Sequence, residues 1–102
     1  MNGMNKEKII SILKEHITIL NDRYHLRRIG LFGSYAKESQ TESSDIDLVV
    51  DFDKPIGLDF VELGDYLENL LNKKVDLITF EGLKNSNLNL KTNQIIYVNL
   101  AG

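Results

Sequence analysis

The chain has no cysteine, no tryptophan and a single proline, and no apolar stretch approaches the length needed to cross a bilayer. Without cysteine there is no disulfide, no thiol nucleophile and no cysteine-ligated zinc. The opening Met1-Asn-Gly-Met4-Asn-Lys-Glu-Lys8 lacks the apolar core of a signal peptide, so a cytoplasmic location with no membrane partner is expected. Basic charge is also in short supply. Twelve Lys and Arg against 15 Asp and Glu give a net charge of −3, whereas binding to a nucleic-acid backbone calls for a clear basic excess. Nucleic acid is therefore not an expected direct partner. Phosphate loops of the forms Gly-x-x-x-x-Gly-Lys-Ser/Thr and Gly-x-Gly-x-x-Gly are missing, which disfavours the common mononucleotide and dinucleotide folds.

What is present is ordinary in bulk. A length of 102 residues with 42% hydrophobic and 26% charged residues predicts one globular domain over 1–102, too short to hold a second, substrate-binding domain. Apolar residues recur every three to four positions from Asn5 to Arg23, which predicts an amphipathic helix. Leu26 to Phe32 reads as a strand ended by Gly33, and Ser34 to Lys37 as one helical turn. Glu38 to Ser44 is a polar loop, Asp45 to Phe52 a second strand, and Asp53-Lys-Pro-Ile-Gly57 a turn. A second amphipathic helix is expected over Leu58 to Asn72, and a third strand over Lys74 to Phe80. Glu81 to Thr92 is weakly helical, and Ile95 to Val98 is a short strand or packed coil. Helices alternating with strands predict an α/β fold, a small sheet flanked by helices.

The chemistry is concentrated around Gly33-Ser34 and, ten residues on, Asp45-Ile46-Asp47. Strand residues alternate faces, so Asp45 and Asp47 point the same way, roughly 6.5 Å apart. Two anions on one strand face repel each other, and a divalent cation removes the conflict. Mg²⁺ is held by one or two carboxylates with phosphate oxygens and waters. The glycine lets backbone approach phosphate closely, amides at the start of a helical turn point at an anion, and the Ser34 hydroxyl adds a donor. Lys37, three residues past Ser34, can reach a phosphate held there. If the second and third strands are neighbours, Asp76 joins Asp45 and Asp47, and three carboxylates can bracket two Mg²⁺ ions for in-line displacement at phosphorus. Asp51 lies roughly 20 Å along the strand from Asp45, so Asp51 and Asp53 read as strand end and turn. Arg23, Arg27 and Arg28 read as a solvated helix end and strand edge, and His16 and His25 as packing or surface residues.

Taken together, Gly33-Ser34-Tyr-Ala-Lys37, the ten-residue gap, Asp45-Ile-Asp47-Leu-Val-Val and Lys74-Val-Asp76-Leu resemble the minimal nucleotidyltransferases of the DNA polymerase beta-like superfamily. The resemblance runs from the first helix through Phe80. It implies that superfamily's small mixed sheet, triphosphate held at Gly33 and Ser34, Mg²⁺ on Asp45 and Asp47, and Asp76 completing the metal site or acting as base. One position departs: many members have glycine after the basic residue, where this chain has Glu38. That charge could weaken nucleotide binding or could point to solvent.

The resemblance further implies a partner, because small proteins of this kind are often antitoxins paired with a HEPN-domain ribonuclease toxin, and some transfer AMP to a toxin tyrosine. The expected activity is transfer of a nucleoside monophosphate, AMP from ATP, to a hydroxyl on a partner protein within a hetero-oligomer. The alternative is a binding module that neutralises its partner by covering it, with Ile95, Ile96, Tyr97 and Leu100 as interface candidates or as residues that close the core. A template-directed polymerase does not fit this length.

Overall fold

The computed structural model describes residues 3–85 and 95–98. In chain order it contains α1 (Lys6–Glu15), α2 (Ile17–Tyr24), β1 (Leu26–Phe32), α3 (Gly33–Lys37), β2 (Ile46–Phe52), α4 (Asp59–Leu71), β3 (Val75–Thr79), α5 (Phe80–Lys84) and β4 (Ile96–Val98). The four strands form one mixed sheet in the order β3-β2-β1-β4, with β1 antiparallel to β2 and β4 and with β2 parallel to β3. The expected α/β architecture and the adjacency of the second and third strands are both present. Leu100 and most of the weakly helical stretch after Lys84 lie outside the described residues.

The expected first helix is two. The Nδ1–H of His16 donates to the Ile12 carbonyl at 2.9 Å, the oxygen its own backbone N–H would take in a continuous helix. That N–H turns instead to Leu13, at 3.1 Å, and α2 restarts with Leu20 N–H donating to the His16 carbonyl. A side chain competing for a backbone acceptor thus breaks the ladder, and periodicity does not register it because both pieces keep the same apolar face. At the other end of α1, the Asn5 side chain accepts the Lys8 N–H at 2.9 Å, an N-cap.

The sheet has two unlike faces. Ile29, Leu31, Ile46, Leu48 and Val50 join Ile9, Leu13 and Leu20 of α1 and α2 and Leu63, Leu67 and Leu71 of α4 in one core, all of them fully buried. The alternating residues make the second face. There Phe32 and Val49 pack with Leu83 of α5, and Ile78, Phe80 and Ile95 close around them. Gly30 is required at that crossing, because a Cβ there would stand 2.5 Å from Ile95 Cγ2. Ile95 and Val98 therefore serve mainly to close the core, while Tyr97 is half exposed.

At one end of the second face the register shifts between Leu26 and Arg28, a bulge that sets two arginines opposite one aspartate. Arg27 Nε donates to Asp51 Oδ2 at 3.1 Å and Arg28 Nη2 to the same oxygen at 3.2 Å. Arg28 also lies 4.3 Å over the Phe80 ring, which stacks on Tyr97 at 5.9 Å. Phe80 follows β3 and Tyr97 belongs to β4, at opposite edges, so this stack clasps the sheet across its width. Arg23, paired with Glu62, links α2 to α4. Three of the four cations near the glycine-serine turn in sequence therefore serve the scaffold.

Burial alone would raise the Asp51 carboxyl, but hydrogen bonds from Arg27 and Arg28, with their charges, outweigh it and hold the group below its ordinary value. A depressed folded pKa contributes stability that is complete above the unfolded value of about 3.9 and is lost as pH falls through the folded one. Asp51→Asn is expected to cost about 1 kcal/mol at pH 7, and the difference from the wild type should be smaller at about pH 3, below the unfolded value. Urea unfolding followed by circular dichroism at the two pH values measures both.

Candidate active site

The opposite end of the second face is polar. Chain direction brings the end of β1 and the starts of β2 and β3 to this edge, and the register sets Phe32 beside Asp47 and Asp47 beside Asp76. Neighbouring strands lie about 4.8 Å apart, so Asp47 and Asp76 stand side by side on the same face. Asp45, two residues before Asp47, lies just ahead of β2 at the same end of the sheet. Asp45 and Asp76 are exposed and Asp47 is half-buried. Asp76 thus points away from the helical core, and the three expected carboxylates share one edge.

Gly33 is the hinge between β1 and this edge. It is buried with φ +75°, in the left-handed region that side chains disfavour. A Cβ there would overlap the Asp47 carboxylate, coming 2.9 Å from its Cγ. Two independent constraints therefore demand glycine. Gly33 begins α3, whose cap residue Phe32 has no side chain able to accept a hydrogen bond. The first amides of α3 thus open beside Asp47, with half-buried Ser34 among them. Lys37 is exposed one turn on, in the last turn of α3.

Glu38 ends α3 in the left-handed conformation, φ 62°, with its N–H on the Ser34 and Tyr35 carbonyls. This backbone requirement explains why glycine suits the position. The Glu38 carboxylate lies 3.5 Å from Lys6 Nζ on α1, so its charge is directed to a neighbouring helix.

The donor set is all carboxylate oxygen, and among the described residues neither Asp45 nor Asp76 has an ion-pair partner. Hard oxygen donors of this kind fit Mg²⁺. The expectation of a carboxylate cage around two ions is not met in full. Among the described residues, no three His, Cys, Asp or Glu side chains gather closely enough to enclose a metal by themselves. Like charges on exposed side chains spread apart, and Mg²⁺ ordinarily completes its shell with substrate phosphates and waters. Asp51 is engaged by its arginines, and Asp53 sits in the turn with its N–H on the His25 carbonyl. Glu68 and Lys73 were not anticipated beside this edge. Glu68 accepts the Val75 N–H at 3.0 Å and Lys73 donates to the Glu42 carbonyl at 3.1 Å. The available signal was an acid lying between Leu67 and Leu70 on the inward side of a helix.

A glycine-hinged bend beside carboxylates on neighbouring strands of a mixed sheet is the arrangement expected of a nucleotidyltransferase. Residues 13–98 match the family model described as a nucleotidyltransferase domain, and the chain belongs to that family. Protein adenylyltransferase MntA of Thermococcus cleftensis is 42% identical over 99 residues, covering 96% of this chain and 100% of that one. A solved structure described as a candidate minimal nucleotidyltransferase superposes with a TM-score of 0.74 at 30% identity, covering 94% of this chain and 98% of that one. A chain from a solved toxin–antitoxin structure with AMP-PNP superposes with a TM-score of 0.61 at 30% identity, covering 97% and 74%. The minimal nucleotidyltransferase fold and an enzyme of the transferase class follow from these likenesses. Among the described residues no helix is long and apolar enough to cross a membrane.

Two substitutions separate cradle from scaffold. Gly33→Ala should reduce nucleotide affinity at least tenfold, read by titration of a fluorescent ATP analogue, because its methyl displaces Asp47. Glu38→Gly should leave that affinity unchanged and stabilise the fold by up to about 1 kcal/mol in urea unfolding, by relieving the left-handed cap.

Proposed function

We propose that the chain is a Mg²⁺-dependent protein adenylyltransferase. It moves AMP from ATP to a hydroxyl of a partner protein, and the partner is a toxin of the HEPN ribonuclease type that it restrains as an antitoxin in the cytoplasm. The observation that carries the chemistry is the pairing of Asp47 with Asp76 across two strands, opposite the Gly33 bend. Similarity to a protein adenylyltransferase and to a chain of a toxin–antitoxin structure supports the protein acceptor and the toxin setting.

In this reading the amides at Gly33 and Ser34, the Ser34 hydroxyl and Lys37 bind and orient the triphosphate. Asp45 and Asp47 hold Mg²⁺, with Asp76 beside them. The ion, when bound, neutralises triphosphate charge and stabilises the departing oxygen. The acceptor oxygen bonds to the α-phosphorus, the bond from that phosphorus to the bridging oxygen of the β-phosphate breaks, and pyrophosphate leaves with the electron pair. Asp76 takes the hydroxyl proton; its exposed place at the sheet edge lets it meet an acceptor presented by another protein.

A second reading, a binding antitoxin with a vestigial site, draws on half-exposed Tyr97 and on the exposed Leu58 and Val61. Incubation of the purified chain with α-labelled ATP, Mg²⁺ and the product of its neighbouring gene separates the two. Transfer of label that falls at least 100-fold in Asp45→Asn/Asp47→Asn supports the enzyme. No transfer, with the double variant still neutralising the partner, supports the binding module.

A further inference from the structure

The start of β3 is held by more than its pairing with β2. As an edge strand, β3 has one row of backbone groups with no partner strand. At Val75, the residue before Asp76, that gap is filled: the Val75 N–H donates to Glu68 Oε2 at 3.0 Å. Glu68 is otherwise without an explanation. Of the four acids on α4, Glu62 pairs with Arg23, and Asp59 and Asp65 are exposed, whereas Glu68 is half-buried. Its backbone is committed to the same corner, since the Asn72 N–H donates to the Glu68 carbonyl at 2.8 Å where α4 ends in a left-handed turn.

The corner reaches the other carboxylates as well. The Lys74 carbonyl accepts the Ile46 N–H at 3.0 Å, between Asp45 and Asp47, and Lys73 Nζ donates to the Glu42 carbonyl at 3.1 Å, in the loop that delivers Asp45. One short segment, Glu68 to Val75, therefore touches the backbone beside all three aspartates. Register decides the site because a slip of one residue moves every side chain to the other face. Asp76 would then face the helical core, and Leu77 would face the nucleotide.

We propose that Glu68, seconded by Lys73, is a positioning residue: it locks the register of β3 so that Asp76 stays beside Asp47, and thereby sets divalent-metal affinity without touching metal or nucleotide. This rests on the carboxylate site proposed above. The requirement is for a hydrogen-bond acceptor, not for a charge, which sets Glu68 apart from a metal ligand.

The test is binding, with Mn²⁺ as the paramagnetic probe titrated in the presence of a non-hydrolysable ATP analogue, alongside amide hydrogen exchange at Val75. Glu68→Met removes the acceptor at similar volume and should weaken Mn²⁺ binding about tenfold, with faster Val75 exchange. Glu68→Gln keeps an acceptor oxygen and should behave as the wild type in both readouts. Equal losses in the two variants, or no loss in Glu68→Met, would overturn the proposal. Should Glu68→Met fail to give a cooperative melt, Lys73→Met decides, with weaker Mn²⁺ binding at unchanged melting temperature expected and unchanged binding contradicting the idea. A wild-type protein that binds no Mn²⁺ with the analogue sinks the enzymatic reading instead, and Val75 exchange in Glu68→Gln against Glu68→Met then judges the lock alone.

Discussion

The passage of the Gly33 backbone across the Asp47 carboxylate is the contact on which the site depends. Nothing larger than hydrogen fits between them, and the backbone there takes a positive φ that only glycine adopts freely. The close approach joins the end of β1 to the start of β2, so the amides of α3 and the first carboxylates share one small volume. Pairing of β2 with β3 then adds Asp76. Moving any one of these strands along its axis would separate the Gly33 bend from the carboxylates.

The rest of the sheet is arranged to leave that volume open. One face is given to the helices and to a fully buried aliphatic core. The other is apolar in its middle and clasped at its far end by Phe80, Arg28 and Tyr97, with Asp51 neutralising the arginines. The arginines nearest in sequence to the Gly33 bend are engaged by Asp51 and Glu62. Lys6 likewise holds the one acid, Glu38, that sequence places awkwardly close to the cradle.

Much of this was readable from residue pattern because strand alternation and helix periodicity act locally. The face of Asp47, the turn at Gly33, the strand carrying Asp76 and the place of Asp51 near the strand end all follow from neighbours in sequence. What could not be read depends on contacts between distant segments. His16 breaks the first helix through a single side-chain hydrogen bond that leaves the apolar stripe intact. The Arg27 bulge depends on register with β2, and the Glu68 contact on how α4 returns to the sheet edge. The direction of the Glu38 carboxylate could not be chosen until α1 was seen beside α3.

Exposure of Asp45 and Asp76 carries its own consequence. An open edge leaves these two carboxylates within reach of a cation and of water. Open edges also bind weakly, because water screens each attraction. A second protein seated at the edge would exclude that water and strengthen the same interactions without any change in the residues. On the proposed function, an acceptor hydroxyl carried on such a protein would enter together with the surface that excludes water, and recognition of the acceptor would be coupled to the conditions the chemistry requires.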